Sequence, residues 1–310
     1  MSISSYDANQ VTQATPWPAL ITALEAAFIA PHQAPERHIH HINVPGLKEA
    51  TALLMPAWIE GEHYGVKLAN VFPSNGSMGL PAVSAAYLLF DGRTGQLKAL
   101  MDGGTITARR TAATSALMAR RLARPDTKTL LVLGAGRIAE LLIEAHRAVL
   151  PIERVLVWGR RQEQAEALAA RCGGETVSDI ETGIAAADMV CAATLSHEPL
   201  IRGAALRPGT HLDLVGAFRP TMRETDAEAV ARSRVFIDTL SGAQAEAGDL
   251  IQAGAEGRFA WSDVAADMSE LIAGTHPGRT SADEITMFKS VGAAIEDLAA
   301  ARLVAAAHGG

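Results

Sequence analysis

Cysteine is almost missing from this chain. Its 310 residues include two, Cys172 and Cys191, too few for a disulfide framework and too scattered for a thiolate metal site. An excess of positive charge is missing too. Lys and Arg number 27 against 34 Asp and Glu, a formal net charge of −7, so a nucleic-acid partner gains no electrostatic support. No uninterrupted apolar run reaches the length of about 18 residues that spans a bilayer. The opening MSISSYDANQVTQATPW has no basic segment followed by an apolar stretch, so no secretory leader is expected. These absences predict a globular cytoplasmic protein with neither nucleic-acid nor membrane partner.

What is present is apolar material in short runs. Hydrophobic residues make up 48% and charged residues 20%, which excludes a disordered or low-complexity chain. At 32.5 kDa it outgrows one comfortable core, so two packed units are expected. TLLVL (129–133) is followed by a helical pattern over 138–149, and RVLVW (154–158) by an Ala/Glu-rich helix over 162–171. Further apolar runs stand at 189–193, 211–215 and 235–238. Such alternation predicts an α/β domain, a doubly wound parallel sheet covered on both faces, over roughly 122–280.

The first hundred residues read differently. A helix over 16–29, with Thr15 as its cap and Pro16 in its first turn, precedes β-type segments at 38–44, 51–58, 64–71 and 83–90. Turn-rich connectors such as SNGSMG and DGRTG separate them. This predicts an α+β lobe over 1–111, followed by a helix over 105–123 that leads into the sheet domain, 112–284. The Ala-rich stretch 284–307 has apolar residues at Phe288, Val291, Ile295, Leu298 and Leu303. That spacing predicts a C-terminal helix, within 285–310, returning to the first lobe.

Gly134, Ala135, Gly136, Arg137, Ile138 and Ala139 fit G-x-G-x-x-A directly after a strand and at the opening of a helix. The first glycine allows the tight turn, the second a close approach to a pyrophosphate, and Ala139 close helix–strand packing. The helix N-terminus offers unpaired N–H groups to the phosphates. NAD-binding versions end the second strand with an acid that holds the ribose hydroxyl. Here it ends Trp158-Gly159-Arg160-Arg161, and two guanidiniums suit a 2′-phosphate. NADP(H) is the preferred cofactor, with NAD(H) second.

Three cations sit where ordinary surface charge does not explain them. Lys67 lies inside the apolar YGVKLANVF, Arg37 precedes the alternating HIHHINV, and Arg110 stands near the start of the 105–123 helix. Together they would clamp a carboxylate, arginine as a planar fork and lysine as a point charge. His38, His40 and His41, with His32 nearby, have no acid or cysteine to complete a site, so no metal is expected.

GVKLANVFPSNGSMGLP, MDGGTITARRTAATSA, LVLGAGRIA, LVGAFRPTMRETD and TMFKSVGAAIEDLAAARL, in that order, resemble the ornithine cyclodeaminase/mu-crystallin family over nearly the whole chain. The ITAxRTAA block is highly specific. The resemblance implies an α+β lobe that holds substrate and dimerises, a Rossmann NAD(P)-binding domain, and a homodimer acting on a small carboxylate-bearing imine or amino acid. It puts carboxylate-binding residues at Arg37, Lys67 and Arg110, with Arg109 as a variable neighbour. It puts cofactor contacts at Thr111, at Gly134, Ala135, Gly136, Arg137 and Ile138, and at Gly159, Arg160 and Arg161. Thr194, Leu195, Val215 and Ser290 complete them, Ser290 near the nicotinamide.

The departures are informative. Ornithine cyclodeaminases carry an acid two positions beyond the glycine of the VG turn, where this chain has Phe218. They also carry a glutamate three residues before the MP pair, where it has Leu53. Phenylalanine can neither activate water nor move a proton. EPLI, VGAxRP and RET resemble instead mu-crystallin, whose relatives reduce cyclic ketimines with NADPH. Asp213, where relatives usually show asparagine, is either a satisfied structural acid or a proton donor.

The expectation is NADPH-dependent reduction of pyrroline-2-carboxylate or piperideine-2-carboxylate, with no carboxylate placed beside the cationic trio to split off nitrogen. The alternatives are an NAD-dependent ornithine cyclodeaminase and a non-enzymatic NADP-dependent binder of a small ligand.

Overall fold

The computed structural model describes residues 3–309, so the outer ends of the first and last expected segments lie outside the described residues. The chain divides into two units. One runs to Arg110 and resumes at Ala293, and the other is Thr111–Gly292.

In the first unit β1 (Ser4–Tyr6) leads into α1 (Ala8–Ala14) and α2 (Trp17–Ile29). Strands β2 (His32–Gln33), β3 (His38–Ile42), β4 (Ala50–Ile59), β5 (His63–Val71), β6 (Val83–Asp91) and β7 (Leu97–Asp102) follow. Among the described residues they form a seven-stranded sheet in the order β1-β7-β6-β5-β4-β2, with β3 on the same edge of β4 as β2. Pairing is antiparallel except between β1 and β7. The C-terminal helix, Ala294–Ala307, lies against α1, α2, β4, β5 and β6.

Thr15 is not the cap expected for α2. Pro16 holds that position without a side-chain cap, and the Thr15 hydroxyl donates back to the Val11 carbonyl at 2.7 Å. Thr15 in turn accepts from buried Arg109, whose guanidinium lies 4.1 Å from the Trp17 ring centroid. Arg109 therefore pins the corner between α1 and α2.

Helix α3 (Gly103–Leu122) carries the chain across the unit boundary, and Asp102 Oδ1 accepts from the Thr105 N–H at its start. The second unit then lays down β8 (Thr129–Leu133), α4 (Arg137–Arg147), β9 (Arg154–Trp158) and α5 (Gln162–Cys172). Its later strands are β10 (Glu175–Thr176), β11 (Met189–Ala192), β12 (His211–Leu214), β13 (Arg234–Ile237), β14 (Val264–Asp267) and β15 (Thr286–Lys289). All eight are parallel, in the order β10-β9-β8-β11-β12-β15-β13-β14. The chain order reverses between β8 and β11, which opens a crevice at their carboxyl ends.

One expectation fails here. The segment 284–307 is not a continuous helix. It holds β15, inserted between β12 and β13, then a turn through Gly292 at φ +86°, then the C-terminal helix. A central parallel strand is buried on both faces and shows no alternation, so four buried residues look like part of a helical stripe.

Candidate active site

The G-x-G-x-x-A turn sits at the topological switch. Gly134 adopts φ +122°, and a Cβ there would come within 2.7 Å of the Ala193 carbonyl. Only glycine lets the turn lie this close to the end of β11. Gly136 is the N-cap of α4 and brings no side chain to the first turn, which leaves its N–H groups open to an anion. Gly159, after β9, has Ala135 and Ala165 close around the space of a Cβ, at 3.1 and 3.4 Å. Arg160 and Arg161 are exposed, and neither side chain has a hydrogen-bond or ion-pair partner among the described residues. Glycine cradle and open helix end together fit a nicotinamide dinucleotide.

The remaining cofactor candidates of the second unit lie along adjacent strand ends. Arg137 and Leu195 are exposed, Ile138, Thr194 and Val215 half-buried, and Ser290 buried. Val215 N–H bonds the Ala192 carbonyl at 2.9 Å and Ser290 N–H the Leu214 carbonyl at 3.2 Å, which joins the ends of β11, β12 and β15. Thr111 is half-buried about two turns into α3. Ala217, in the loop after β12, holds φ +51°, a strained setting for a residue with a Cβ. Phe218 beside it is exposed.

The cationic cluster belongs to the first unit. Lys67 sits on β5 opposite Met55 and Tyr87 and is 3% exposed. Its Nζ lies 2.7 Å from Asp297 Oδ2. Arg110 places Nε 3.0 Å from Asp297 Oδ1 and donates an Nη1 hydrogen to Glu296 at 2.6 Å. Burial pulls the Lys67 ammonium down to about 8, Asp297 opposes the fall, and the charges of Arg110 and Arg37 add to it. Half-buried Arg37 thus stands within electrostatic reach of Lys67. Burial works against the Arg110 charge, but Asp297 and Glu296 outweigh it and hold the guanidinium protonated. Burial would raise Asp297, and Lys67 and Arg110 hold it low instead.

The expectation of no acid beside the cations is therefore corrected. Two fully buried carboxylates from the C-terminal helix stand there. They neutralise and orient Lys67 and Arg110, which makes burial of those cations tolerable. The adjacent acid pair in an Ala-rich helix was the available signal.

Asp213 lies fully buried on β12. Its Oδ1 accepts from Ser115 at 3.0 Å and its Oδ2 from the Cys191 thiol at 3.0 Å. His146 Nε2 is 3.2 Å from the same Oδ2, though without hydrogen-bond alignment. Burial pushes Asp213 up to about 6 and His146 down to about 4. One donor atom each of His146, Cys191 and Asp213 falls within 4.8 Å of the others, but the Asp213 oxygens are already engaged by protein donors. No helix of the described residues is long and apolar enough to cross a membrane.

The family model described as ornithine cyclodeaminase/mu-crystallin matches residues 6–308. A Delta(1)-pyrroline-2-carboxylate reductase of Paracoccus denitrificans is 41% identical over 280 residues, 88% of each chain. The ketimine reductase mu-crystallin of Mus musculus is 34% identical over 292 residues, 92% of this chain and 90% of its own. Among solved structures, the Thermococcus litoralis Delta(1)-pyrroline-2-carboxylate reductase in complex with NADH and L-proline has a TM-score of 0.92. It is 33% identical, and the match covers 99% of this chain and 98% of that one.

Proposed function

Because the chain belongs to the ornithine cyclodeaminase/mu-crystallin family, we propose that it is an NADPH-dependent reductase of a small cyclic imino acid. The substrate is of the pyrroline-2-carboxylate or piperideine-2-carboxylate type. The names of its relatives support imino acid reduction, and the observation that carries the reading is a pair of buried cations, Lys67 and Arg110, oriented by two buried acids. Lys67 gives one contact to Asp297, and Arg110 uses Nε and Nη1 on Asp297 and Glu296. These contacts use two of the three guanidinium nitrogens of Arg110 and one contact of the Lys67 ammonium. Buried donors call for acceptors, and a substrate carboxylate supplies two oxygens of the right charge.

When bound, a reduced nicotinamide dinucleotide supplies the hydride. The chain holds the substrate carboxylate through Lys67, Arg110 and Arg37 and so fixes the C=N carbon. Lys67, protonated below about 8, can also pass a proton to the nitrogen as its double bond is lost. Phe218 and Leu53, at positions where deaminating relatives are expected to carry acids, offer no group to hold a second amine. Arg160 and Arg161 support the preference for NADPH, with NADH as the second cofactor. Exposed Ile39, Ile42, Met78, Leu80 and Val83 of the first unit support a homodimer.

The test is direct. Purified protein with NADPH and pyrroline-2-carboxylate is expected to consume reduced nicotinamide, followed by absorbance. Ammonia and proline from ornithine with NAD would overturn the reading in favour of deamination. Tight NADPH binding without turnover on either substrate would favour a ligand-binding protein.

A further inference from the structure

Lys289, Asp249 and Glu224 lie together in the second unit with no exposure to solvent. Lys289 Nζ is 3.3 Å from Asp249 Oδ2 and donates to the carbonyls of Gly216 and, at 3.4 Å, Leu214. Asp249 Oδ1 accepts from the backbone N–H groups of Glu224 at 2.7 Å and Thr225 at 2.9 Å. Glu224 Oε1 accepts from the Thr194 N–H at 2.6 Å and the Thr194 hydroxyl at 2.8 Å.

Burying three ionisable groups is costly, and apolar side chains of like volume would fill the space at less cost. Their contacts indicate what they do. Glu224 reaches Thr194 beyond β11, and Lys289 reaches Gly216 beyond β12 and is followed directly by Ser290 at the end of β15, while Asp249 ties Lys289 to the Glu224 and Thr225 backbone. Space at this junction is fully used. A Cβ on Gly216 would fall 2.2 Å from the Thr194 carbonyl and 2.4 Å from Glu224 Oε1. A Cβ on Gly248, next to Asp249, would fall 2.1 Å from the Met222 carbonyl and 2.4 Å from that of Arg219. Gln252, one turn further along the helix Gly248–Ala255, donates to the Pro220 and Met222 carbonyls. The loop from Val215 to Met222 is thus clamped from beneath.

We propose that Glu224, Asp249 and Lys289 are positioning residues that set Thr194, Val215 and Ser290 against the nicotinamide half of a bound dinucleotide. The inference rests on the cofactor reading above. The phosphate-binding turn and the two arginines follow β8 and β9, on one side of the switch point. The strand ends joined by this network are on the other side, where the second half of a dinucleotide lies. Burial raises the Glu224 carboxyl to about 7, Lys289 opposes the rise and Asp249 adds to it. What Thr194 needs is the Oε1 acceptor, which glutamine also offers.

The test compares NADPH with adenosine 2′,5′-bisphosphate, which carries the adenosine end alone, as ligands in calorimetric titrations. Glu224→Ala is expected to weaken NADPH about ten- to a hundredfold and leave the bisphosphate within about twofold, with Glu224→Gln restoring NADPH to within about threefold. Thr194→Val loses one of the two side-chain-linked bonds at a half-buried position and is expected to weaken NADPH alone by about threefold. It decides the matter, with Glu224→Gln, if the alanine variant does not fold. Equal losses for both ligands, an alanine variant that binds like the parent, or a glutamine variant as weak as alanine would overturn the proposal. A parent protein that binds neither ligand would overturn the cofactor reading itself, and the network's role with it.

Discussion

Lys67 Nζ and Asp297 Oδ2 stand 2.7 Å apart, both buried, one on β5 and the other on the C-terminal helix. The pair is held by two opposing effects. Burial drives Lys67 towards neutrality, and Asp297 is the largest influence keeping it charged. Asp297 likewise owes its low proton affinity to Lys67 and Arg110. Its stabilising contribution is therefore present above the ordinary aspartate range and is lost as pH falls into and below it.

Asp297→Asn is expected to cost about 3–5 kcal/mol near neutral pH, since it leaves two buried cations with one fewer counter-charge. Denaturant unfolding at pH 7 measures this, and a loss below about 1 kcal/mol would refute the buried pairing. The same substitution lowers the Lys67 pKa further. If protonated Lys67 serves the reduction, activity falls above about pH 8, and in the variant that decline begins at lower pH.

Replacing Arg160 and Arg161 with alanine should weaken NADPH by about 2–3 kcal/mol, since charge-assisted bonds to a 2′-phosphate are lost. NADH lacks that group, so its affinity should change little. Fluorescence titrations with both cofactors give the ratio, and equal losses would remove the preference for NADPH.

His146 and Asp213 make a prediction about pH. His146 is lowered from 6.5 to about 4, so by itself it makes the fold lose stability as pH drops through that interval. Asp213 is raised from 3.8 to about 6, so by itself it makes the fold lose stability as pH rises through nearly the same interval. The two slopes oppose one another, so the joint contribution of this pair should change little between pH 4 and 6. Asp213→Asn leaves the histidine slope, with stability falling towards acid. His146→Gln leaves the aspartate slope, with stability falling towards neutral pH. Each change should amount to roughly 2–3 kcal/mol across the interval. Melting temperatures of the three proteins from pH 4 to 8 check this, and parallel curves would show that the groups do not titrate there.

What could be read from the residues depended on pattern length and on how far apart partners lie. β8 and β9 are continuous apolar runs ended by glycine, and their limits are visible directly. Gly134 announces its turn because tight approach and a positive φ both require glycine. β15 was hidden because four buried residues beside a helix have no period of their own. Asp297 and Glu296 were hidden for another reason: the cations they hold come from β5 and α3, and no local spacing links them. Lys289 stood in plain view inside TMFKSVG, yet only the strand assignment shows that it is buried. Thr15 was misread because a hydroxyl just before a proline-led helix resembles a cap, whereas here it is needed by Arg109.

The insertion of β15 has a consequence for synthesis on the ribosome. Strands β12 and β13 pair with β15 and not with each other, so the larger sheet has a missing rung until residue 289 is made. A few residues later the same stretch delivers Glu296 and Asp297, without which Lys67 and Arg110 would be buried charges lacking counter-ions. The last thirty or so residues therefore complete both units, and a nascent chain stopped short of them can finish neither.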